Sequence, residues 1–410
     1  MTDAAAPAES LQTRCCIAGG GPAGMMLGVL LARAGVDVVV LEKHADFLRD
    51  FRGDTVHPST LEVMHELGWL EDFLRRPHQE VREVGGQIGD ERVTLADFSH
   101  LPTRCPFIVL MPQWDFLDFV AERGRQYGPF HLRMEAQVVD LLDVDARIAG
   151  VVATTPQGRL EVRAELTVAA DGRGSIVRAR AGLTVVDLGA PIDVLWLRLS
   201  RRPDDPSQIL GYLRGGHVFV MLQRGDYWQC AFVIPKDGYG ELRRDGLEAF
   251  RRTISTTVPF LADRVSELAD WDAVKLLTVT IDRLREWYRD GLLCIGDAAH
   301  AMSPIGGVGI NLAVQDAVAA ANLLAGPLQR GAVTIDDLAA VQRRRSFPTR
   351  ATQRLQVLMQ DRVISRTLRS GAPASLPLLA RLLRDHPVLR RLPARMIGLG
   401  FRPEHVQTST

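Results

Sequence analysis

The feature that most constrains the fold of this chain is a glycine pattern near its start, Gly19-x-Gly21-x-x-Gly24. The apolar segment before the pattern predicts a buried strand, and the segment after it predicts a helix that Gly35 is well placed to end. The β-branched run that follows predicts a second, parallel strand. The pattern therefore predicts a β-α-β unit, with strands over residues 14–18 and 36–41 and a helix over residues 22–34.

Each glycine of the pattern has a physical reason in a turn that binds a dinucleotide. Gly19 permits a tight turn, Gly21 lets the backbone approach a pyrophosphate, and Gly24 permits close packing of the helix on the strand. The helix N-terminus adds free N–H groups and partial positive charge. A glycine-rich turn without a ligand would explain the pattern alone. Glu42, 18 residues after Gly24, favours dinucleotide binding, because an acid at about this distance binds a ribose hydroxyl.

Two further predicted strands are each followed by an acid in a turn. Ala170-Asp171-Gly172 ends a strand over residues 166–170, although Asp-Gly alone signals only a turn. Gly296-Asp297 follows a strand over residues 292–295, and the Asp297 carboxylate is suited to hold a ribose or ribityl hydroxyl.

A second glycine-rich segment covers residues 304–311 and leads into a predicted helix over residues 312–324. The N–H groups at the start of this helix would stabilise negative charge on a reduced flavin ring. A loop whose glycines serve packing alone is the alternative interpretation.

The sequence pattern changes between residues 185 and 280, where short strands are separated by Gly or Asp turns and one helix is predicted, over residues 247–257. A chain of 410 residues also exceeds what a single core supports. We therefore predict an α/β protein: a Rossmann-like nucleotide domain interrupted by a mainly antiparallel β-sheet domain, with C-terminal helices. The predicted boundaries are 12–80, 111–184 and 281–333 for the nucleotide domain, 81–110 and 185–280 for the sheet domain, and 334–410 for the helical region.

Composition excludes several classes of partner. The 49 basic and 49 acidic residues balance, which argues against nucleic-acid binding driven by bulk charge. The five cysteines have no metal-type spacing, so no metal site is predicted and a reducing cytoplasm is the expected compartment. The uncharged run over residues 15–32 contains several glycines, and a strand, turn and helix explain it better than a membrane span does. No integral membrane segment is expected.

Together these motifs resemble the p-hydroxybenzoate-hydroxylase-type, FAD-dependent (group A) monooxygenases, over about residues 12–330. Two further landmarks carry the resemblance: Arg52 within Phe51-Arg52-Gly53-Asp54-Thr55, and Pro112-Gln113-Trp114 before a helix. The resemblance implies that the nucleotide domain binds FAD and the sheet domain binds substrate. It also implies that NAD(P)H binds in a groove without a Rossmann domain of its own. The implied reaction uses NAD(P)H and O2 to hydroxylate an aromatic or phenolic small molecule through a flavin C4a-hydroperoxide.

The resemblance also assigns roles to residues of the nucleotide domain. Arg33, Arg52 and Gln113 would face the FAD phosphates and ribityl chain, and Asp297 would hold the ribityl or pyrophosphate region. The Asp-Gly stretch at Asp171 has been associated in this family with both FAD and NAD(P)H. The remaining predicted cofactor-binding residues are Gly19, Gly21, Pro22, Ala23, Gly24, Glu42 and Lys43 at the first motif, and Pro304, Gly307, Gly309, Ile310 and Asn311 at the border of the isoalloxazine.

Candidate substrate contacts come from the sheet domain. Trp196 and Arg198 share one face of a predicted strand, where Trp196 would stack on an aromatic ring and Arg198 would hold a phenolate or carboxylate. Tyr212 and Phe219 are further candidates. A core tryptophan beside a surface arginine explains the first pair equally well. No catalytic side chain is predicted, since the flavin carries the hard chemistry.

Three alternatives remain open from the sequence. A flavin-dependent halogenase is weakly suggested by residues 227–235, but Cys230 stands where its signature has a second tryptophan, and the first lysine of the chain is Lys43. An isoprenoid reductase of the same fold is not excluded by the sheet domain. A non-catalytic flavin-binding protein is disfavoured by the glycine-rich segment at 304–311. The amphipathic segment 375–401 suggests packing on its own domain or a homodimer contact.

Overall fold

The computed structural model of the chain describes residues 9–48, 55–206, 211–361 and 378–408. Within these residues the protein has a mixed α/β fold. The helices are α1 Pro22–Arg33, α2 Pro58–Glu66, α3 Leu70–Leu74, α4 Gln113–Gly124, α5 Ile176–Arg180, α6 Tyr239–Asp245, α7 Leu247–Thr257, α8 Gly309–Arg330, α9 Ile335–Met359, α10 Leu378–Asp385 and α11 Arg391–Gly398. Short 3₁₀ turns lie at Pro259–Leu261, Val265–Glu267, Trp271–Ala273, Gly296–Ala298, Ile305–Gly307 and Pro387–Arg390.

The strands form two large sheets and two small ones within the described residues. Those of the first large sheet are β1 Glu9–Ala18, β2 Val38–Leu41, β8 Phe130–Arg133, β9 Gln137–Val144, β10 Arg147–Thr155, β11 Gly158–Ala169, β19 Tyr288–Arg289 and β20 Leu292–Cys294. Those of the second are β5 Glu83–Ile88, β6 Glu91–Asp97, β13 Ile192–Ser200, β14 Gly211–Arg214, β15 His217–Arg224, β16 Tyr227–Pro235 and β17 Lys275–Leu277. The small sheets contain β3 Thr55–Val56, β4 Gln79–Val81 and β7 Ile108–Leu110, and β12 Val185–Asp187 with β18 Asp282–Leu284.

The first sheet has a parallel core in the order β20-β11-β1-β2-β8. Its register pairs Ala18 of β1 with Leu41 of β2 and Ala169 of β11, and pairs Ala169 with Cys294 of β20. Leu41 also pairs with Arg133 of β8, so five parallel strands end at one edge of the sheet. Strands β9 and β10 pair antiparallel beside β11.

Helix α1 is buried along most of its length because it packs between the sheet and α8. Its contact with the sheet depends on Gly28, where an added Cβ would lie 2.7 Å from Val40 Cγ2. The helix prediction is confirmed to within one residue, and Gly35 follows the helix end with a φ of 77°.

One segment among the described residues, Ile305–Arg330, is long and apolar enough to cross a membrane by length and composition. Of its most apolar window, 78% is buried inside the protein, as expected for a core helix. Polar groups such as Asp316 and Gln315 are also buried on α8 and bonded to other parts of the chain.

The second sheet has two different faces because side chains alternate along each strand. On β13, Leu195, Leu197 and Leu199 pack in a cluster that includes Phe250 and Ile254 of α7. We call this the outer face. Val194 and Trp196 lie on the opposite side, in a cluster with Val279 and Ile281 that Val357 of α9 also contacts. We call this the inner face.

Two segments differ from the predicted organisation. Strand β7, within predicted sheet-domain segment 81–110, pairs with β3 and β4 in a separate small sheet instead of joining the second large sheet. Residues 401–408, within the predicted helical region, contain no helix and run beside α8, where Asn322 bonds to His405 O and Gln407 N. Pro403 lacks the N–H group that a helix interior requires, which is consistent with this extended path.

A buried ion pair fixes one end of the second sheet. Asp205 accepts hydrogen bonds from Arg264 Nη1 at 2.6 Å and Nη2 at 2.8 Å, and from Trp228 Nε1 at 2.7 Å. Both charged side chains are only 4% exposed. Burial raises the pKa of Asp205, but the bonds from Arg264, Arg202 N and Trp228 outweigh it and lower the pKa to about 2.

We expect Asp205→Ala to lower the free energy of unfolding by about 3–5 kcal/mol, because it leaves a buried guanidinium without its partner. The matched control is Asp90→Ala, which removes a pair with Arg214 in which Asp90 is 89% exposed, and which we expect to cost about 0–1 kcal/mol. Urea unfolding of both variants measures the difference. Equal losses of unfolding free energy in the two variants would show that the buried pair stabilises the fold no more than the exposed pair does.

Candidate active site

The three glycine-containing motifs meet at the edge where the parallel strands end. Gly19 has a φ of +108°, and an added Cβ would lie 2.4 Å from Ala170 O of the second motif. Gly296 has a φ of +58°, and its added Cβ would lie 3.0 Å from Ala23 Cβ of the first motif. Segments more than 100 residues apart in sequence are thus in contact, and glycine is required where they touch.

The first turn contains glycines of two kinds, those that packing requires and one that faces open space. An added Cβ at Gly24 would lie 2.0 Å from Gly19 O, so Gly24 is required by packing. An added Cβ at Gly21 would meet no protein atom within 4 Å. Gly21 is also the N-cap of α1, Pro22 follows as the first helical residue, and no side chain caps the helix. The free N–H groups of this helix start are suited to hold a diphosphate.

Glu42 lies at the end of β2, beside this turn. Its Oε2 accepts a hydrogen bond from Gly20 N at 2.9 Å, and its Oε1 contacts His44 N at 3.1 Å and His44 Nδ1 at 2.5 Å. Burial raises the pKa of Glu42, but the bonds with His44 and Gly20 N outweigh it and lower the pKa. A carboxylate is therefore held beside the turn, where the sequence predicts a contact with a ribose hydroxyl. The neighbouring Lys43 is exposed.

The second motif brings a buried carboxyl to the same edge. Asp171 Oδ2 accepts a hydrogen bond from Val177 N at 3.2 Å, and Oδ1 is buried without a partner among the described residues. Burial raises the pKa of Asp171. Arg178, on α5, pairs with Asp282 at 3.1 Å and donates to Ala298 O at 3.4 Å. It therefore ties the second motif to the third.

Asp297 of the third motif lies at the surface of this crevice. Its Oδ2 is 3.4 Å from Arg173 Nη2 of the second motif, and its side chain is about one-third exposed. The carboxylate is therefore accessible to a polyhydroxyl ligand while a neighbouring cation keeps it in place.

The glycine loop, residues 304–309, is held by strand β3. Gly306 and Gly307 have positive φ values of 80° and 61°. Thr55 Oγ1 donates to Gly307 O at 2.6 Å, and an added Cβ at Gly307 would lie 2.2 Å from that same Oγ1. Gly309, where α8 begins without a side-chain cap, has no protein atom within 4 Å of an added Cβ. A second helix start thus faces open space.

Asn311 positions this loop through four hydrogen bonds. Its Oδ1 accepts from His57 N and from Thr60 Oγ1, each at 2.7 Å. Its Nδ2 donates to Thr55 O at 3.3 Å and to Gly307 O at 3.4 Å. The side chain is 5% exposed. These contacts assign Asn311 to loop positioning, whereas the sequence predicted a residue that borders the flavin ring.

A buried cluster around Asp316 anchors the third motif, and sequence reasoning did not identify it. Asp316 accepts hydrogen bonds from Gly296 N at 3.1 Å, from His300 Nε2 at 2.6 Å and from Arg345 Nε at 2.8 Å. Burial raises the pKa of Asp316, but His300 and Arg345 outweigh it and lower the pKa. We call these four residues the Asp316 cluster. The available signal was a single acid within the apolar run 312–324.

Three predicted phosphate or ribityl contacts have different outcomes. Arg33 lies at the C-terminal end of α1, about 17 Å along the helix axis from Pro22, and donates to Thr408 O at 2.6 Å. Its predicted contact with the FAD phosphates is therefore wrong, because the helix carries it to the opposite end. Gln113 is half-buried at the start of α4. Arg52 lies outside the described residues.

The four predicted substrate contacts do not share one site. Tyr212 and Phe219 are opposite each other and belong to the outer-face cluster, where Tyr212 is 4% and Phe219 is 0% exposed. Trp196 is on the inner face, and Arg198 shares its side of β13. The exposed Arg198 guanidinium lies 3.8 Å from the centroid of the Tyr227 ring. Predicting Tyr212 and Phe219 as substrate contacts was therefore wrong, because strand register turns them towards α7.

The inner face instead meets the glycine loop through an apolar wall that sequence reasoning missed. Ile305 packs against a cluster of Ile192, Val218 and Val233, which neighbouring strands bring together. Leu213 contacts the same cluster. The wall places apolar side chains directly beside the loop that begins α8.

These features fit a bound FAD. Two uncapped helix starts, at Gly21 and at Gly309, face open space from one edge of the first sheet. Carboxylates at Glu42 and Asp297 flank that edge. Oriented N–H groups suit a diphosphate and a flavin pyrimidine edge, and carboxylates suit sugar and ribityl hydroxyls. No group of three or more His, Cys, Asp or Glu side chains suited to a metal occurs in the described ranges.

Comparison with known proteins agrees with this geometry. Residues 12–355 match the family model described as FAD binding domain. The chain is 35% identical over 395 residues to 6-methylpretetramide 4-monooxygenase of Streptomyces rimosus, covering 94% of this chain and 93% of that protein. The chain spans 59%, 60% and 61% of the lengths of three longer curated relatives.

Solved structures share the fold. The anhydrotetracycline hydroxylase OxyS of Streptomyces rimosus superposes with a TM-score of 0.74 at 25% identity, covering 95% of this chain and 76% of that chain. The myxobacterial halogenase CndH superposes with a TM-score of 0.75, covering 95% of this chain and 91% of that chain. Its 19% identity shows a common fold alone. Because curated relatives of this chain are named monooxygenases, the halogenase, reductase and non-catalytic alternatives are not favoured.

We expect Gly21→Ala to weaken FAD binding at least about ten-fold while leaving the stability of the apoprotein unchanged, because its Cβ meets no protein atom and enters the space of the diphosphate. Gly240→Ala is the matched control. An added Cβ at Gly240 also meets no atom within 4 Å, but Gly240 lies on α6, among the helices beside the second sheet. Apoprotein titration with FAD and thermal unfolding measure both quantities. Unchanged FAD affinity in Gly21→Ala would contradict the assignment of this turn.

We expect Asp316→Ala to lower the free energy of unfolding by about 3–5 kcal/mol and to release FAD, because it leaves buried Arg345 and His300 without their shared acceptor. Asp336→Ala, an exposed acid in the first turn of α9, is the control and should retain FAD. Chemical unfolding and flavin content after gel filtration provide the measurements. Full flavin retention in Asp316→Ala would separate the cluster from the cofactor site.

Proposed function

Because the chain belongs to the family of FAD-dependent aromatic monooxygenases that carry this FAD-binding domain, we propose that it hydroxylates a fused-ring aromatic polyketide. The substrate would lie between the glycine loop and the inner face of the second sheet. The observation that carries this proposal is the apolar wall formed by Ile305 with Val218 and Val233. The relative at 35% identity is named for 6-methylpretetramide, which makes that compound the first substrate to test.

We assign the cofactor contacts from the geometry of the strand ends. The start of α1 at Gly21 would hold the diphosphate, Glu42 a ribose hydroxyl, and Asp297 the ribityl chain. The start of α8 at Gly309 would lie beside the pyrimidine edge of the flavin. When bound, FAD accepts a hydride from NAD(P)H and activates O2 so that one oxygen atom is transferred to the substrate.

The protein supports this chemistry by holding charge and excluding water. The N–H groups at the start of α8 are fixed before reaction, since Thr55 and Asn311 both donate hydrogen bonds to Gly307 O of the glycine loop. Such preorganised donors stabilise negative charge that develops on the flavin ring. The wall at Val218 and Val233 excludes water from the reacting oxygen, which suppresses loss of oxygen as hydrogen peroxide.

A homodimer and a cytoplasmic location stay predictions.

The test of this function uses purified FAD-bound enzyme with NADPH and 6-methylpretetramide. We expect anaerobic NADPH to bleach the flavin, and aerobic turnover to consume NADPH and yield a product that carries one added oxygen atom, detected by mass spectrometry. Isotopically labelled O2 should label that atom. A flavin that is reduced but gives no oxygenated product with 6-methylpretetramide or other fused-ring phenols would overturn the proposed substrate class.

We expect Trp196→Ala to reduce kcat/KM for a fused-ring substrate about ten-fold and to raise the fraction of NADPH that yields hydrogen peroxide, because it removes an aromatic contact from the inner face. Phe219→Leu is the control on the outer face, and we expect it to leave kcat/KM and coupling unchanged although it affects stability. Steady-state kinetics with peroxide detection separate the two. A larger kinetic effect from Phe219→Leu would place the substrate on the other side of the sheet.

A further inference from the structure

A row of glutamines on α9 and at its C-cap holds the backbone that leads into the glycine loop. Gln353, Gln356 and Gln360 are spaced by three and four residues, so they share one face of the helical path. All three glutamine side chains are buried. Gln353 Nε2 donates to Ala301 O at 3.0 Å and also to Asp282 O at 2.8 Å. The row therefore follows the chain from the third motif towards the loop.

Gln356 differs from Gln353 in what its amide oxygen contacts. Gln356 Nε2 donates to Ser303 O and to Ile305 O, each at 2.9 Å. Because carbonyl oxygens only accept hydrogen bonds, the amide must be oriented with its NH2 group towards them. Both of its N–H groups are then used. Gln356 is 3% exposed, and its Oε1 is buried with no hydrogen-bond partner among the residues that the structure describes.

Gln353 has no such unsatisfied oxygen. Its Oε1 lies 3.3 Å from Arg283 Nη1, so donor and acceptor sides of the amide are both used. Gln360 also has a buried Oε1 without a partner in the described part of the chain, but its Nε2 contacts the Ser303 hydroxyl. A hydroxyl can donate or accept, so the orientation of that amide is not fixed by chemistry. The inference therefore depends on Gln356.

The position of Gln356 places it at the edge of the proposed substrate space. Ile305, whose carbonyl it binds, packs against the apolar wall at Val218 and Val233. The next residue on α9, Val357, contacts the inner-face cluster that includes Trp196. This part of α9 thus contacts the glycine loop through Gln356 and the inner face through Val357.

A buried amide oxygen in such a position is unfavourable unless a ligand donates to it. We propose that Gln356 Oε1 is a specificity-determining acceptor for a hydroxyl or amide N–H group of the aromatic substrate, an assignment that rests on the proposed function. Because both N–H groups of Gln356 are held by the loop, it accepts and does not donate. It therefore selects neutral hydroxyls and disfavours methyl ethers and phenolates.

The experiment compares 2-naphthol with 2-methoxynaphthalene, which differ in the hydrogen-bond donor. Binding to the FAD-bound enzyme is followed by perturbation of the flavin absorption spectrum. We expect the wild-type enzyme to bind 2-naphthol about ten-fold more tightly than the ether. In Gln356→Met this ratio should fall to within about two-fold, because the acceptor is lost. A purely structural defect would weaken both ligands together and leave the ratio unchanged.

Gln353→Met is the matched control, since it removes hydrogen bonds to the same backbone segment from a residue whose oxygen is already paired. We expect it to keep the wild-type ratio. Should Gln356→Met not fold with FAD bound, Gln356→Lys keeps N–H donors towards the loop carbonyls and lacks the acceptor, so it should also lose the ratio. Retention of the ten-fold preference in either Gln356 variant would overturn the inference.

Failure of the proposed function gives a different result. It is seen in the wild-type enzyme alone, as absence of oxygenated product from 6-methylpretetramide and other fused-ring phenols and absence of binding of either naphthalene, and it would overturn this inference as well. Turnover by the wild-type enzyme with an unchanged ratio in the Gln356 variants would instead leave the function intact and limit Gln356 to anchoring the loop.

Discussion

The edge of the first sheet where the glycine motifs meet depends on the hydrogen bonds of one buried group, the Asp316 carboxylate. From α8 it joins the Gly296 turn and the His300 ring of the third motif to the Arg345 guanidinium of α9. Arg345 extends the connection to Glu404 near the end of the described chain. A charge in this position is stable only because the Arg345 guanidinium, the His300 ring and a backbone N–H surround it. The fold thus places α8, α9 and the C-terminal segment around one turn of the cofactor site.

The strand ends show why the meeting of the glycine motifs at one edge was predictable from sequence. Gly21 and Glu42 lie within one β-α-β unit, so their separation is set by a short local structure. Asp171 and Asp297 each follow a buried strand, and parallel strands end at the same edge of a sheet. Local patterns and one topological rule therefore suffice to bring these residues together. The predicted contact of Arg33 with the FAD phosphates was wrong because α1 runs away from that edge and Arg33 lies at its far end.

The substrate side could not be predicted in the same way, because it depends on which face of a sheet is covered. Alternation along β13 separates Trp196 from Leu195, but the sequence does not say which of the two faces meets the cofactor domain. Tyr212 and Phe219 are aromatic and adjacent across two strands, yet they pack under α7. Arg178 and Asp316 were missed for a related reason, since buried charges are recognised only when their partners are known.

The contacts of the glycine loop separate oxygen chemistry from substrate choice. Its backbone is held by side chains of Thr55, Asn311 and Gln356, which bond to carbonyl groups and do not depend on the shape of the substrate. The wall at Val218 and Val233 contributes only apolar side chains from strands of another sheet. Substitutions in the wall can therefore change the substrate while the loop stays fixed. We expect specificity in this chain to be decided by that wall together with the few polar acceptors that border it.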